Sequence, residues 1–142
     1  SSAKNHDAVT VIVDPADYPR VQAEIATHKD TTHETRRALA AKAFARTGAY
    51  DAAISQWFAR ALDTPFPATL ALSGTLTQAL HYGENPHQKA AFYTTGEGAH
   101  TLATAALAHG ERLSYNNLND ASAALELAAE FSEPAVVIVK HA

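Results

Sequence analysis

Alanine is the feature that most restricts what this chain can fold into. The 142 residues include 32 Ala, whereas Leu, Ile, Val and Phe together supply only 28. Alanine is the best helix former but buries little apolar surface. The composition therefore predicts a helix-rich chain whose core needs more chain, or a partner, to be complete. A net charge of −4 is too small for self-repulsion to keep it unfolded.

The charge balance and the cysteine count exclude several classes of protein. Eleven Lys and Arg against fifteen Asp and Glu argue against a strongly basic nucleic-acid binder. No apolar run approaches the roughly 18 residues of a membrane span, and no signal peptide is visible, so we expect no membrane partner. The absence of Cys leaves no disulfide framework or thiolate metal site and is consistent with a cytoplasmic protein.

The two ends of the sequence suggest a segment of a longer protein. The chain contains no Met, and it closes on an apolar run, residues 135–139, followed by Lys140 and His141. A domain that stopped directly after a buried strand would leave the strand edge unfinished. We therefore expect further chain on both sides.

The first sixty residues are predicted to form one strand and two helices. The β-branched run 9–13 predicts a buried strand. Asp14 and Pro15 are the N-cap and first-turn proline of a helix, and Thr31 and Glu34 have the spacing of a capping box for a second helix. After Asp14 and Pro15, apolar residues follow at helical spacing: Tyr18, Val21 and Ile25.

The second helix is predicted to carry one apolar face that belongs to the core rather than to a ligand site. We expect Gly48 to kink or divide this helix. Pro65 and Pro67 then break the pattern and indicate a domain boundary or linker. The residues of the apolar face are Tyr50, Ile54, Trp57, Phe58 and Ala61.

The remaining chain is predicted to add strands around one more helix, which gives an α/β fold. Asn119 or Asp120 is expected to cap this helix, and Pro134 to end it before a final strand. The helix is predicted from an apolar stripe: Ala121, Ala124, Leu125, Ala128 and Phe131. Before this helix we expect a strand that runs into a loop over residues 70–80, a second strand over 89–94 and a turn at 96–98.

Residues 81–88 are a polar cluster with two interpretations. Asn85-Pro86 favours an extended or turn backbone, and Gly83 permits a close bend. An ordered surface turn is one interpretation, since polar loops are common. The other is a substrate loop whose imidazole, phenol and amide groups converge on an anionic or heteroaromatic ligand.

Residues 114–120 are a second cluster, again with two interpretations. Asn and Asp before a helix are what capping requires. Three Asn in four positions exceed the needs of one cap, however, so an amide that contacts a ligand is the alternative.

Lys140 and His141 form the third cluster. Ligands of α/β proteins bind where strands end, and an imidazole beside an ammonium is kept neutral as a base. Neighbours in a regular strand point to opposite faces, so both side chains serve one site only if the backbone leaves strand geometry. Ordinary surface Lys and His are the alternative.

Other reaction classes have less support in the sequence. It contains no glycine-rich phosphate loop and no nucleophile elbow. A metal held by three separated histidines lacks the usual i, i+4 His pair or Cys-x-x-Cys. Those histidines are His81, His87 and His141.

Five ordered motifs together resemble one enzyme family, from residue 3 to the end of the chain. The family is the bifunctional purine-biosynthesis enzymes that are both AICAR formyltransferase and IMP cyclohydrolase. The stretch Tyr-Gly-Glu-Asn-Pro-His-Gln within residues 81–88 is its most specific motif. The five motifs cover residues 3–6, 14–18, 81–88, 115–121 and 139–142.

This resemblance implies a fold and a two-step reaction. Residues 1–66 would end an α/β cyclohydrolase domain, and 67–142 would begin a cytidine-deaminase-like formyltransferase domain. The reaction is formyl transfer from 10-formyltetrahydrofolate to AICAR, followed by closure to IMP with loss of water. The implied partners are nucleotide and folate substrates and a second copy in a homodimer. Neither step needs a metal, and the segment alone is expected to be inactive.

The resemblance also implies roles for individual residues. His141 would be the base that takes the proton of the AICAR amine, and Lys140 would stabilise the transition state. Lys4 matches the lysine that does acid/base work in ring closure. The implied AICAR-binding residues are His81, Tyr82 and Asn117, together with His141.

One departure from the family pattern leaves alternatives open. His81 stands where the family usually has Arg, which is permanently charged and binds anions with two parallel hydrogen bonds. One alternative, for which His81 is the clue, is that the chain is a catalytically inactive nucleotide-binding or interaction module of the same fold. A metal-dependent deaminase is a third hypothesis, against which the lack of Cys-x-x-Cys argues.

Overall fold

A computed structural model describes residues 1–96, 101–110 and 112–141 of the protein. The chain divides into two units, Ser1–Ser73 and Gly74–Ala142. The first is helical, and the second combines a helix with a small antiparallel sheet. This combination is compatible with the predicted α/β class. None of the described helices combines the length with the apolar character that a membrane span requires.

Unit 1 starts its first helix where the sequence predicts. Asp14 caps the short 3₁₀ helix Pro15–Asp17, and its Oδ1 accepts a hydrogen bond from the Ala16 amide at 3.0 Å. Helix α1, Tyr18–His28, follows directly and ends at Lys29, which has a left-handed φ of 62°. A second 3₁₀ helix, Ser2–Asn5, opens the chain.

Helix α2, His33–Ala61, begins at a different cap from the predicted one. The side chain of Thr32 accepts from the Thr35 amide at 3.2 Å, so the predicted Thr31–Glu34 pair is wrong by one residue. Thr31 is buried, and its hydroxyl shares a 2.6 Å hydrogen bond with that of Thr10. Because the Thr31 hydroxyl is bound to Thr10, Thr32 rather than Thr31 caps the helix.

Helix α2 also differs from the prediction along its length. It runs unbroken through Gly48, so the predicted kink or division is wrong. Its buried residues are mostly small and lie within the first twenty residues of the helix: Thr35, Leu39, Ala40, Ala43 and Ala52.

The aromatic face of α2 is exposed, which contradicts its prediction as core. Tyr50 is 67 % exposed and Trp57 57 %. The Trp57 and Phe58 rings meet edge-on with centroids 4.9 Å apart, but this contact leaves most of both rings uncovered. Periodicity identifies an apolar face, but its burial depends on the elements that pack against it.

Residues 9–13 form no strand, so that prediction is also wrong. A strand needs a neighbour for its ladder, and the described part of unit 1 contains none. Side chains hold the segment instead. Arg46 Nη1 donates to the Val13 carbonyl at 2.8 Å, in addition to the contact between Thr10 and Thr31.

Unit 2 contains a two-stranded antiparallel sheet. Strand β1, Thr75–Ala79, pairs with β2, Ala91–Thr94, with an irregularity between Leu76 and Gln78. The predicted strand over 89–94 is confirmed. In the stretch 70–80 the loop comes first and the strand second, the reverse of the prediction.

The turn predicted at 96–98 falls partly outside the described residues. Gly96 has a φ of +77°, a value that glycine adopts without strain. Residues 97 and 98 are not described.

Helix α3, Tyr115–Ala129, begins before the predicted caps Asn119 and Asp120. Ser114 Oγ accepts from the Asn117 amide at 3.2 Å, and Asn117 Oδ1 accepts from the Ser114 amide at 3.0 Å. This reciprocal capping box satisfies two amides at once and places the cap at Ser114, five residues before Asn119. The helix ends at Ala129 with Glu130 as its C-cap, so the predicted end at Pro134 is wrong and Phe131 lies beyond the helix.

Residues 135–139 do not form the predicted final strand. Val136 is 89 % and Ile138 91 % exposed. No described strand pairs with this segment, so its β-branched residues have no ladder to join.

Candidate functional site

The polar segment 81–88 forms a closed loop held by its own backbone. The Gly83 amide donates to the Gln88 carbonyl at 2.9 Å, and the Gln88 amide donates to the Asn85 carbonyl at 3.0 Å. Gln88 Oε1 accepts from the Asn85 amide at 2.8 Å. The loop is therefore an ordered element whose backbone polar groups are engaged internally.

Gly83 is needed at this position because the chain passes too close for a side chain. A Cβ added there would lie 2.8 Å from Gln88 Cβ and 3.2 Å from Gln88 Oε1. Gly83 is buried. The fold therefore explains why glycine follows His81 and Tyr82.

Two backbone hydrogen bonds hold the start of the loop beside the first turn of α3. The His81 amide donates to the Leu113 carbonyl at 3.1 Å, and the Tyr115 amide donates to the Tyr82 carbonyl at 3.2 Å. The His81 and Tyr82 rings meet edge-on, with centroids 5.3 Å apart. His81 is exposed and Tyr82 half-buried, so the imidazole is accessible to a ligand.

Two asparagines of α3 have different partners. Asn117, the residue singled out as an AICAR contact, uses Oδ1 to accept from the Ser114 amide and hydroxyl. Asn116 Nδ2 donates to the Glu84 carbonyl at 3.2 Å. Asn116 thus connects the helix to the loop, a contact that the sequence did not predict.

Two clefts border the loop and the start of α3. One, of about 580 Å³, is lined by Gly83, Glu84, Gln88, Lys89 and Tyr115, among others. The other, of about 410 Å³, is also lined by Tyr115 and is mostly apolar, with Leu80, Phe92 and Leu118 in its wall. A ligand held by the loop has a polar and an apolar surface within reach.

Lys140 and His141 are both exposed. His141 has a φ of 62°, a left-handed conformation in which His is enriched among non-glycine residues. The alternation of side chains along a regular strand therefore does not apply to this pair. No hydrogen bond or ion pair within the described ranges involves either side chain.

Lys4 lies in unit 1, on the 3₁₀ helix Ser2–Asn5, and its side chain is exposed. The other predicted site residues, His81, Tyr82, Asn117 and the pair at 140–141, belong to unit 2. The structure thus brings together His81, Tyr82 and the first turn of α3.

The histidines that the sequence offered as a metal set are not gathered among the described residues. A different set of residues is gathered. His6, Asp7 and His33 place potential ligand atoms within 4.8 Å of one another. Sequence reasoning missed it because 26 residues separate Asp7 from His33, and no motif spacing connects them.

The whole chain matches one family of known proteins. The sequence model of the family described as AICARFT/IMPCHase bienzyme matches residues 2–142. The chain belongs to this family. The resemblance inferred from five motifs is confirmed.

Individual relatives give the same result. The chain is 57 % identical to the bifunctional purine biosynthesis protein PurH of Sinorhizobium medicae, 56 % to that of Rhizobium meliloti and 54 % to that of Rhodospirillum rubrum. Each match covers 100 % of this chain and 27 % of the relative. The chain therefore spans about a quarter of the length of these relatives.

Proposed function

We propose that this chain is part of an enzyme that transfers a formyl group from 10-formyltetrahydrofolate to AICAR and then closes the product to IMP. The family match over residues 2–142 carries this proposal. Residues 1–66 belong to the cyclohydrolase domain and 67–142 to the formyltransferase domain, which is similar to cytidine deaminases. The enzyme is a cytoplasmic homodimer.

Formyl transfer requires a base. The 5-amino group of AICAR is a weak nucleophile because its lone pair is delocalised into an imidazole that bears a carboxamide. Its proton must leave as the C–N bond forms, and a positioned imidazole contributes about 10²–10⁴-fold in such steps. His141 takes this proton. Its exposed side chain and left-handed backbone support this role.

Lys140 supplies the positive charge. Attack on the formyl carbon puts negative charge on the formyl oxygen, and the folate nitrogen leaves as an anion or takes a proton. An ammonium placed where this charge develops stabilises the transition state more than the ground state. Because Lys140 precedes His141 directly, both groups reach one substrate when the backbone departs from strand geometry.

The 81–88 loop holds AICAR. His81 and Tyr82 present an exposed imidazole and a half-buried phenol on a backbone that is hydrogen-bonded to residues 113–115. Asn117 contributes from the first turn of α3. A rigid loop loses little conformational entropy when it binds a nucleotide, which supports a binding role.

Lys4 acts in the second step. Ring closure joins the carboxamide nitrogen of formyl-AICAR to its formyl carbon, and the formyl oxygen leaves as water. This requires a proton donor at that oxygen and an acceptor for the amide proton. The exposed side chain of Lys4 does this acid/base work.

The experiment measures both steps separately in the full-length enzyme of which this chain is proposed to be a part. His141→Ala is expected to lower formyl transfer by about 10²–10⁴-fold and to leave closure of formyl-AICAR unchanged, while Lys4→Ala is expected to do the reverse. His109→Ala, which removes an exposed imidazole elsewhere in unit 2, is the control and should change neither rate.

Two outcomes would contradict the proposal. If a well-folded His141→Ala variant lost both activities together, the roles assigned to the two sites would be wrong. If the unmutated full-length enzyme bound AICAR without formylating it, the inactive nucleotide-binding module, for which His81 is the clue, would be the better description.

A further inference from the structure

Two imidazoles and a carboxylate meet on the surface of unit 1. His33 Nε2 lies 2.9 Å from Asp7 Oδ1, and His6 Nε2 lies 3.8 Å from the same oxygen. The two imidazole rings are 6.0 Å apart between centroids. Each residue offers one ligand atom, and these atoms all lie within 4.8 Å of one another.

These separations suit a single small cation. Zinc binds imidazole nitrogen and carboxylate oxygen at about 2.0–2.2 Å, so neighbouring ligands of a tetrahedral ion are roughly 3.3–3.6 Å apart. The observed distances, from 2.9 Å to at most 4.8 Å, lie on both sides of this value. Small side-chain rotations are therefore enough to form the coordination shell.

The backbone on both sides of the cluster is held by other groups. His6 follows the 3₁₀ helix Ser2–Asn5 in a right-handed helical conformation, and Arg36 Nε donates to its carbonyl at 3.1 Å. His33 is the first residue of α2, directly after the cap Thr32. Neither of these backbone constraints involves a side-chain atom that would bind the cation. The backbone positions of His6 and His33 are therefore set before a cation binds.

The charges around the cluster favour binding of a divalent cation through the carboxylate. The Asp7 carboxylate supplies a negative charge beside the two imidazoles. Arg36 is the nearby cation. Its guanidinium donates to the carbonyls of His6 and Thr31 and lies 3.7 Å from the Asp30 carboxylate, which offsets its charge.

We propose that His6, Asp7 and His33 bind a divalent transition-metal ion of the Zn²⁺, Co²⁺ or Ni²⁺ type. Two imidazoles and one carboxylate are ligands that these ions prefer, and water completes the shell. The ion connects the N-terminal segment to the start of α2. Its role is to stabilise this junction, and the inference does not depend on the proposed function.

Cobalt is the direct probe, because a Co²⁺ ion held by nitrogen ligands in a low coordination number absorbs strongly in the visible. The intact protein is titrated with Co²⁺, and Zn²⁺ is then added to displace it. His33→Ala and Asp7→Ala are each expected to weaken binding by at least about tenfold, since even outer partners of a metal site contribute that much.

His28→Ala is the matched control, because it removes an exposed imidazole from the end of α1 that is outside the cluster. This variant should bind Co²⁺ as the unmutated protein does. The melting temperature of the unmutated protein should rise with Zn²⁺, and that of His33→Ala should not.

Two results would overturn the proposal. One is a visible Co²⁺ spectrum whose intensity and titration midpoint are the same in His33→Ala, Asp7→Ala and His28→Ala. This result would place the ion elsewhere. The other is the absence of any such spectrum in the unmutated protein. Circular dichroism of each variant shows whether it is folded, and Asp7→Asn serves as a milder second variant if Asp7→Ala is not.

Discussion

The two units use polar groups in opposite ways. In unit 1, polar side chains bind each other between the helices: Thr35, which is fully buried, accepts from Arg20 at 2.7 Å and donates to Glu24 at 2.5 Å. In unit 2, the 81–88 loop is held mainly by backbone groups, which leaves His81 exposed. The first arrangement stabilises a fold, and the second leaves an imidazole accessible to solvent.

The largest expected effect tests the role of unit 1 in stability. Leu39 is 3 % exposed, and truncating a buried Leu destabilises a protein by about 2–5 kcal/mol. Leu39→Ala should lower the free energy of unfolding by that amount in urea titrations. Leu62→Ala, at a residue that is 70 % exposed, should change it by less than about 0.5 kcal/mol. Equal effects of the two variants would contradict the assignment of the core.

The next effect tests the loop of unit 2. Gln88→Leu removes the acceptor of the Asn85 amide and should raise the KM for AICAR about tenfold, which corresponds to roughly 1.4 kcal/mol, a typical value for one hydrogen bond. Gln88→Glu retains an acceptor oxygen and should restore most of the binding. If both variants had the same KM, the loop hydrogen bond would have no part in binding.

A smaller effect tests the side chain that the loop presents. His81→Arg should tighten AICAR binding at neutral pH about fivefold, because hydrogen bonds from a charged donor are stronger by roughly 1 kcal/mol. Steady-state kinetics at varied AICAR concentration measure this change. An unchanged or raised KM would count against contact between residue 81 and the nucleotide.

The smallest effect tests the polar network of unit 1 through its pH dependence. The hydrogen bond from Thr35, and next the one from the Thr32 amide, lower the pKa of Glu24 below its ordinary value of 4.5. Its stabilising effect is therefore complete above pH 4.5 and is lost as the pH falls through the lower folded-state pKa.

Glu24→Gln provides the measurement. The difference in unfolding free energy between the unmutated protein and this variant should shrink between about pH 7 and about pH 3. Glu130→Gln, at an exposed position just after α3, should show no comparable change. A difference for Glu24→Gln that stays constant with pH would mean that its carboxylate does not contribute through ionisation.

Predictions from local signals succeeded at the start of the first helix but missed the equally local cap of α3 at Ser114. Asp14 and Pro15 start a helix as predicted, because capping and proline geometry act within a few residues. The predicted cap of α2 was wrong by one residue because Thr31 contacts Thr10, 21 residues away. The aromatic face of α2 was predicted as core because periodicity identifies an apolar face but not what covers it.

The candidate site shows the same limit. The motif at 81–88 and the pair Lys140–His141 were identified from residue types and their order. Which asparagine contacts the loop was decided by the capping box, since Asn117 is bound to Ser114 and Asn116 contacts Glu84. The roles of Lys4, His81, Tyr82, Asn117, Lys140 and His141 remain predictions.

The amino-acid sequence alone determined the family, the helix-rich character of the chain and the loop that closes on Gly83, because these depend on motifs and neighbouring residues. The tertiary structure decided the start of α2, the exposure of its aromatic face and the meeting of Asp7 with His33. Each of these depends on contacts between residues far apart in the chain. Such contacts form only when the backbone between them has folded, and no local pattern encodes them.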